Sequence, residues 1–161
     1  MRGRNGMRTV LVGAASGAFA SWVMEQAQAQ LAKVPLDAGG GDKPSTVEAA
    51  DRAALAATGA PVPGPQRKQA GRAVHYAMGT TLGVAYALLA ERRPVVSAGF
   101  GSLYGLAVSA LLDEGAAPAL KLSPPPTQTP PWGHAYGLLA HVVFGLALET
   151  GRQALGPGRR D

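Results

Sequence analysis

Residues 73–112 read AVHYAMGTTLGVAYALLAERRPVVSAGFGSLYGLAVSALL, and every charge in this stretch falls at 91–93. Charge-free windows therefore lie on both sides of a short turn, and two more occur at 9–24 and 122–148. A helix in a soluble domain needs a polar face that contacts water, whereas about 20 apolar residues of helix cross a bilayer. The pattern predicts an all-α, polytopic membrane protein.

We predict four transmembrane helices over about 9–25, 73–91, 94–113 and 132–149, forming one membrane domain within the 161 residues. The alternative is a compact soluble domain, but four helices buried on all sides would leave no amphipathic helix to cover them. The chain has no Cys, which excludes disulfides, Cys-ligated metals and a cysteine nucleophile.

The distribution of Lys and Arg predicts the orientation of the spans. Basic residues precede the first span, fill the 91–94 turn and follow the fourth span, which places both termini in the cytoplasm of a bacterium, with the protein in its inner membrane. Trp22 and Trp132 then lie at the outer interface. A cluster before the second span disagrees with this orientation: Arg67, Lys68 and Arg72. A cleaved signal peptide over 1–29 is an alternative for the first span.

Each span carries small residues at four-residue intervals and ends on a carboxylate. Such stripes let helices approach closely in lipid, so they predict a Gly-zippered bundle. The carboxylates could form interfacial ion pairs or handle protons. The similarity of the stripes has two explanations that the sequence leaves open. One is a duplication that relates 13–25 to 101–113 and 79–91 to 137–149, and the other is a chance match. The stripes are Gly13, Gly17, Ser21, Glu25; Gly79, Gly83, Ala87, Glu91; Gly101, Gly105, Ser109, Asp113; and Gly137, His141, Gly145, Glu149.

The two longer connections differ in composition. Residues 26–72 are polar and contain a short predicted helix, about 46–58, which opens with the capping-box spacing Ser45 to Glu48 and ends at Gly59. Residues 114–131 are rich in Pro and predict an extended connection.

The three histidines are the only candidates for chemistry within the spans, together with the stripe carboxylates. His75 and His134 open the second and fourth spans at similar depth, where a facing pair could sense pH or ligate haem. His134 and His141 are seven residues apart and cannot both ligate one metal ion. Each histidine could instead simply bond across a helix interface. We predict no metal, no cofactor and no nucleic-acid partner; the lipid bilayer is the expected partner.

A family resemblance rests on three segments of the chain. They are the second-span opening His75-Tyr76-Ala77-Met78-Gly79, the stretch from Asp113-Glu114-Gly115 to Pro124-Pro125, and His134 followed by His141-Val142-Val143-Phe144-Gly145. Over about residues 70–152 the chain resembles the YagU-like family of small bacterial inner-membrane proteins of unknown biochemical function. The resemblance implies an inner-membrane location and, for one branch, an association with acid resistance. It implies no catalytic residue.

The sequence thus predicts a non-enzymatic integral inner-membrane protein, structural or stress-related, with a role in the response to pH. One alternative is an accessory subunit of a larger membrane complex or a homo-oligomer. Another is a small transporter or proton channel, for which the spans offer only histidines and hydroxyls as a polar pathway.

Overall fold

The computed structural model describes residues 2–34 and 43–156, and this part of the chain contains helices and no strand. The predicted all-α class is confirmed. Residues 35–42 of the first connection and residues 157–161, with the predicted cytoplasmic Arg159 and Arg160, lie outside the described residues. The helices are α1 (Arg2–Leu31), α2 (Ser45–Thr58), α3 (Arg67–Ala90), α4 (Ser102–Leu111), α5 (Ala117–Ala119) and α6 (Pro131–Leu155).

The long helices run up and down in an antiparallel bundle. Helix α1 packs against both α3 and α6, α4 packs against α6, and α2 packs against α3. Thr9 donates a hydrogen bond to Glu91, and Gly151 lies against Ser16, which places the start of α1, the end of α3 and the end of α6 at one end of the bundle. We call this the terminal end. The opposite end, which holds both long connections, is the connection end.

The third predicted span differs from the structure at its start. Residues Pro94–Ser97 form a short 3-10 helix, and α4 begins only at Ser102. Between them Gly99, Phe100 and Gly101 have positive φ angles of 60°, 56° and 84°, which an α-helix cannot contain. The left-handed conformation at Gly101 lets the chain turn where its backbone meets Gly145 of α6. A continuous helix over 94–113 is therefore wrong.

The same span continues further than predicted at its other end. A π-helical turn, Leu112–Ala116, joins α4 to α5, and the amide of Ala117 donates to the carbonyl of Leu112. Pro118 follows directly; it has no N–H, and its ring clashes with a regular preceding helical turn. A wide turn next to a proline thus extends the helical path to Ala119, within the connection that we predicted to begin at 114.

Helix α2 is close to its predicted range, but its start is made differently. Pro44 occupies the N-cap position, and no side chain caps the helix, so Ser45 is the first helical residue and not the predicted cap. Glu48 instead pairs with Arg52 at 3.0 Å. Gly59 ends the helix with a φ of 76°, and its N–H donates to the carbonyl of Leu55.

Two of the described helical segments are long and apolar enough to cross a membrane, Gly6–Leu31 and Gly64–Ala90. Helix α6 has 25 residues, but His134, His141 and Glu149 interrupt its apolar character, and α4 has only 10 residues. The structure therefore suggests a membrane protein, with fewer clear spans than the four that the sequence predicts.

Candidate functional site

Small residues set the register between α1 and α3. Gly13 lies against Gly83, where an added Cβ would come 2.7 Å from the Gly83 carbonyl oxygen. One turn further along, Gly17 lies against Gly79. An added Cβ on Gly17 would overlap the carbonyl oxygen of Gly79, and one on Gly79 would overlap the hydroxyl of Ser21. The two backbones are in direct contact because no side chain separates them.

Helices α4 and α6 meet in the same way. Gly101 contacts Gly145, and one turn further along Gly105 contacts the carbonyl of His141. If α1 corresponds to α4 and α3 to α6, the contact of Gly13 with Gly83 is equivalent to that of Gly101 with Gly145. Gly83 then corresponds to Gly145. The duplication considered for the sequence instead relates Gly83 to His141, one helical turn away.

A cavity of about 350 Å³ lies between the two helix pairs, towards the connection end. Its walls come from α1, α3, α6 and the π-helical turn after α4, and its cover comes from α2 and from the segment around α5. The wall residues include Ser21, Met24, His75, Met78, Gly79, Leu82, Leu112, Asp113, Gly137, His141 and Phe144, and the cover residues include Ser45, Thr46, Ala49, Ala116, Ala117, Leu120 and Leu122.

Two histidines line this cavity, and hydrogen bonds fix each ring. The Nε2 atom of His75 lies 3.2 Å from the carbonyl oxygen of Ser21. The Nδ1 atom of His141 lies 3.0 Å from the carbonyl oxygen of Gly137 and 3.1 Å from Oδ2 of Asp113. Because carbonyl oxygens only accept, both of these ring nitrogens carry the proton.

Two serines of the stripes also reach the cavity region. Ser109 donates to Oδ2 of Asp113 at 3.1 Å. The hydroxyl of Ser21 is fully buried and has no hydrogen-bond partner among the described residues. A buried hydroxyl without a partner is costly, so the Ser21 hydroxyl is a polar group available to a molecule in the cavity.

The cover is held in place by side chains of α2. The Arg52 guanidinium donates to the carbonyls of Leu120 and Lys121, which joins α2 to the end of α5. Asp51 is buried, accepts from the amide of Val62 at 3.2 Å and pairs with Arg67 at 3.4 Å. These contacts fasten both ends of the cover across the mouth of the cavity.

His134 lies apart from this cavity. Its Nδ1 atom is 2.7 Å from Glu114, and its Nε2 atom is 3.2 Å from the carbonyl of Pro126. The structure thus places His75 and His141 around one cavity, whereas the facing pair considered for the sequence was His75 with His134. His134 instead joins α6 to the Pro-rich connection.

The other stripe carboxylates each have partners. Glu25 pairs with Arg72 at 3.0 Å and accepts from the Tyr76 hydroxyl at 2.9 Å, and Glu91 accepts from Thr9. Glu149 is buried and accepts hydrogen bonds from three side chains, those of Tyr86, Arg152 and Gln153. The Glu149 carboxylate raises the pKa of Arg152, which lies beyond the predicted span, above its ordinary value.

Comparison with protein families shows which family the chain belongs to, but not what the protein does. A family model described as a protein of unknown function, DUF1440, matches residues 60–150. The chain belongs to the DUF1440 family. YagU-like proteins are members of it, which confirms that part of the resemblance. Neither the search of curated proteins nor that of solved structures finds a match.

The DUF1440 match includes the three histidines and Asp113, whereas α1 and α2 precede it. Within the described part of this DUF1440 chain, no group of three or more His, Asp or Glu side chains could hold a metal ion. The polar groups around the cavity can donate and accept hydrogen bonds and carry one carboxylate charge. This arrangement suits the binding of a molecule rather than metal chemistry.

Sequence reasoning missed the cover of the cavity in this DUF1440 protein. On α2 the apolar Leu55 is exposed, while Asp51 is buried. The available signal was the pairing of charges around α2: Asp51 with Lys43 and Arg67, and Glu48 with Arg52. A helix that only covered a surface would not need a buried carboxylate with two basic partners.

Proposed function

We propose that this protein is an integral, multi-pass inner-membrane protein whose role is not enzymatic. One observation carries the proposal: the closest contacts between helices are made by Gly and Ser around a small apolar core, while many large apolar side chains are exposed. A soluble monomer rarely exposes apolar surface on this scale, but lipid covers it without cost. The exposed residues on the long helices include Leu11, Phe19, Leu89, Leu103, Leu106, Leu139 and Leu146.

The proposed topology has four crossing helices, with both termini in the cytoplasm and the close Gly contacts acting as a Gly zipper. The third crossing is the helical path from Ser102 through α5. Trp22 and Trp132 are both exposed near the connection end, where indole rings would lie at the outer interface. Arg92 and Arg93 lie in the turn at the terminal end, which favours a cytoplasmic position for that end.

Within this topology we propose a stress-related role in the response to acid. Two histidine–carboxylate pairs, His134 with Glu114 and His141 with Asp113, fasten α6 to the helical segment that carries the cavity cover. Protonation of the two imidazoles turns each contact into a full ion pair, so mild acid outside the membrane would tighten this end of the bundle. The pairs support such a role through their position beside the cover.

A second candidate function is that of an accessory subunit in a larger membrane complex. The observation that favours it is an aromatic pair on the outer side of α1, where Phe19 stacks on Trp22 with ring centroids 6.2 Å apart and both side chains are exposed. Comigration with a larger complex in mild detergent would support this candidate, and migration as a free bundle would argue against it.

The absence of Cys makes a direct test of topology simple. Single variants Ala57→Cys, on α2, and Arg93→Cys, in the turn at the terminal end, place one thiol at each end of the bundle. With intact cells and a membrane-impermeant thiol reagent, we expect Ala57→Cys to be labelled and Arg93→Cys to react only after permeabilisation. The reverse pattern would invert the topology. Recovery of the protein in the soluble fraction would overturn the proposal.

A further inference from the structure

We infer that the cavity between the helix pairs binds a small apolar amine, whose protonated nitrogen contacts Asp113 while its apolar body packs against Met24, Met78 and Phe144. The inference deepens the proposed membrane function, on which it rests, by naming what the bundle holds. It is carried by the charge, the free hydrogen-bonding groups and the apolar walls of this one cavity.

The charge of the cavity wall favours a cation. Asp113 is the acidic residue among the lining residues, and no Lys or Arg is among them in the described part of the chain. The nearest basic candidate, Lys43, lines an adjacent cavity together with Asp113, but it is paired with Asp51 at 3.4 Å. His75 and His141 are the basic side chains in the lining, and while His141 is neutral the charge of Asp113 is left for a cation with a donor N–H.

One oxygen of Asp113 is left for such a ligand. Both Ser109 and His141 contact Oδ2, and no hydrogen bond from a described residue reaches Oδ1. A carboxylate has lone pairs on both oxygens and can accept from several donors at once. Oδ1 can thus accept from an ammonium without disturbing the existing contacts.

Three further polar side chains of the wall offer acceptors to a ligand, beside the hydroxyl and amide groups of Gln28, Ser45 and Thr46. His75 and His141 each use one ring nitrogen as a donor to a carbonyl, so in the neutral ring the second nitrogen is an acceptor. The Ser21 hydroxyl, which is fully buried and unpartnered, can either donate or accept. A ligand with more than one N–H would meet several acceptors in this space, whereas a carboxylate ligand would meet the charge of Asp113.

The remaining walls determine the body of the ligand. Met24, Met78, Leu82 and Phe144 are apolar, and methionine side chains adapt to ligands of different shape. A volume of about 350 Å³ lies at the lower end of the range for small-molecule sites. The part of the ligand that the cavity holds is accordingly small.

The methionines provide a local probe for the test. Methyl-¹³C methionine NMR of the full chain in lipid nanodiscs reports on Met24 and Met78 in the cavity, while Met7 on α1 is exposed and serves as an internal control. Cyclohexylamine is the probe, with cyclohexanol and cyclohexanecarboxylate as matched compounds of the same shape. We expect saturable shifts of Met24 and Met78 with the amine, weaker effects with the alcohol and none with the carboxylate.

Two variants separate charge recognition from unspecific partition. Asp113→Asn removes the proposed contact and should weaken amine binding about tenfold or more, as expected for the loss of a charged hydrogen bond. Glu114→Gln changes the neighbouring carboxylate, which pairs with His134 outside the cavity, and should leave binding unchanged. Equal shifts with all three compounds, or equal binding by Asp113→Asn, would overturn the inference.

The thiol-labelling and NMR experiments together distinguish failure of the amine site from failure of the proposed membrane function. If thiol labelling shows the expected topology but the amine shifts neither methionine, the membrane protein stands and the amine site does not. If the protein proves soluble, the same titration can be made without nanodiscs, and saturable binding there would retain the site alone.

Discussion

Tyr86 of α3 donates a 2.7 Å hydrogen bond to the buried carboxylate of Glu149 on α6, near the terminal end of the bundle. Arg152 pairs with the same carboxylate at 2.6 Å. A buried carboxylate is tolerated only where opposite charge and hydrogen bonds compensate for lost hydration. This group therefore connects α3 to α6, which α1 otherwise separates over much of their length.

The neighbouring Tyr104 provides a matched control for the contribution of that hydrogen bond. Tyr104 packs on Tyr86 with ring centroids 4.9 Å apart, and its hydroxyl donates to the neutral carbonyl of Leu82. We expect Tyr86→Phe to lower the free energy of unfolding in detergent by about 2 kcal/mol and Tyr104→Phe by about 1 kcal/mol, because a charged acceptor forms the stronger bond. Equal losses would show that the charge of Glu149 contributes nothing to this contact.

The role of the stripe glycines as packing positions stays a prediction that substitution can test. A Cβ at Gly17 would overlap the carbonyl of Gly79, whereas Gly6 on the same helix has no atom within 4 Å of an added Cβ. Gly17→Ala should cost about 1–3 kcal/mol of unfolding free energy through overpacking, even though alanine favours the helix. Gly6→Ala should be neutral or slightly stabilising. Stability measured in the same detergent compares the two, and a neutral Gly17→Ala would contradict close packing.

The cavity cover should open more readily when the hydrogen bonds of Arg52 are removed. Arg52 bonds two carbonyls at the end of α5, and a planar guanidinium can reach both at once. In an Ala117→Cys background, we expect Arg52→Gln to raise the rate of thiol labelling at 117 several-fold. Lys68→Ala, a change of equal charge on α3, is the control. Unchanged labelling in Arg52→Gln would mean that α2 is held by other contacts.

The helices could be predicted from the sequence because their signals are local. Charge-free windows mark apolar helices, and a four-residue spacing of small residues marks the face that packs. The start of α4 could not be predicted in this way. The residues Gly99, Phe100 and Gly101 belong to a charge-free window like any other, and the left-handed turn that they form lies where Gly101 meets α6, a contact between distant parts of the chain.

The cavity could not be predicted from the sequence, because its lining depends on how the helices pack. His75 and His141 line one space because α1 lies between α3 and α6 and supplies Ser21 as a neighbour to His75. Equal depth in the membrane suggested His134 as the partner of His75, but depth does not determine which face of a helix points inward. The cover is a long-range contact between residues 52 and 120–121, for which no local pattern exists.

The short 3-10 segment before α4 and the outer face of α6 should lie in different media, water for the first and lipid for the second. Val95 lies in the 3-10 segment and is 64% exposed, and Leu139, on α6, is 48% exposed. In a soluble protein, both Val95→Cys and Leu139→Cys should react readily with a charged thiol reagent. In the membrane we expect Val95→Cys to react after permeabilisation, because the proposed topology places it at the cytoplasmic surface. Leu139→Cys should stay unlabelled, because lipid excludes the charged reagent and keeps the thiol un-ionised. Labelling of both at similar rates after permeabilisation would place the outer face of α6 in water and contradict the proposed bundle.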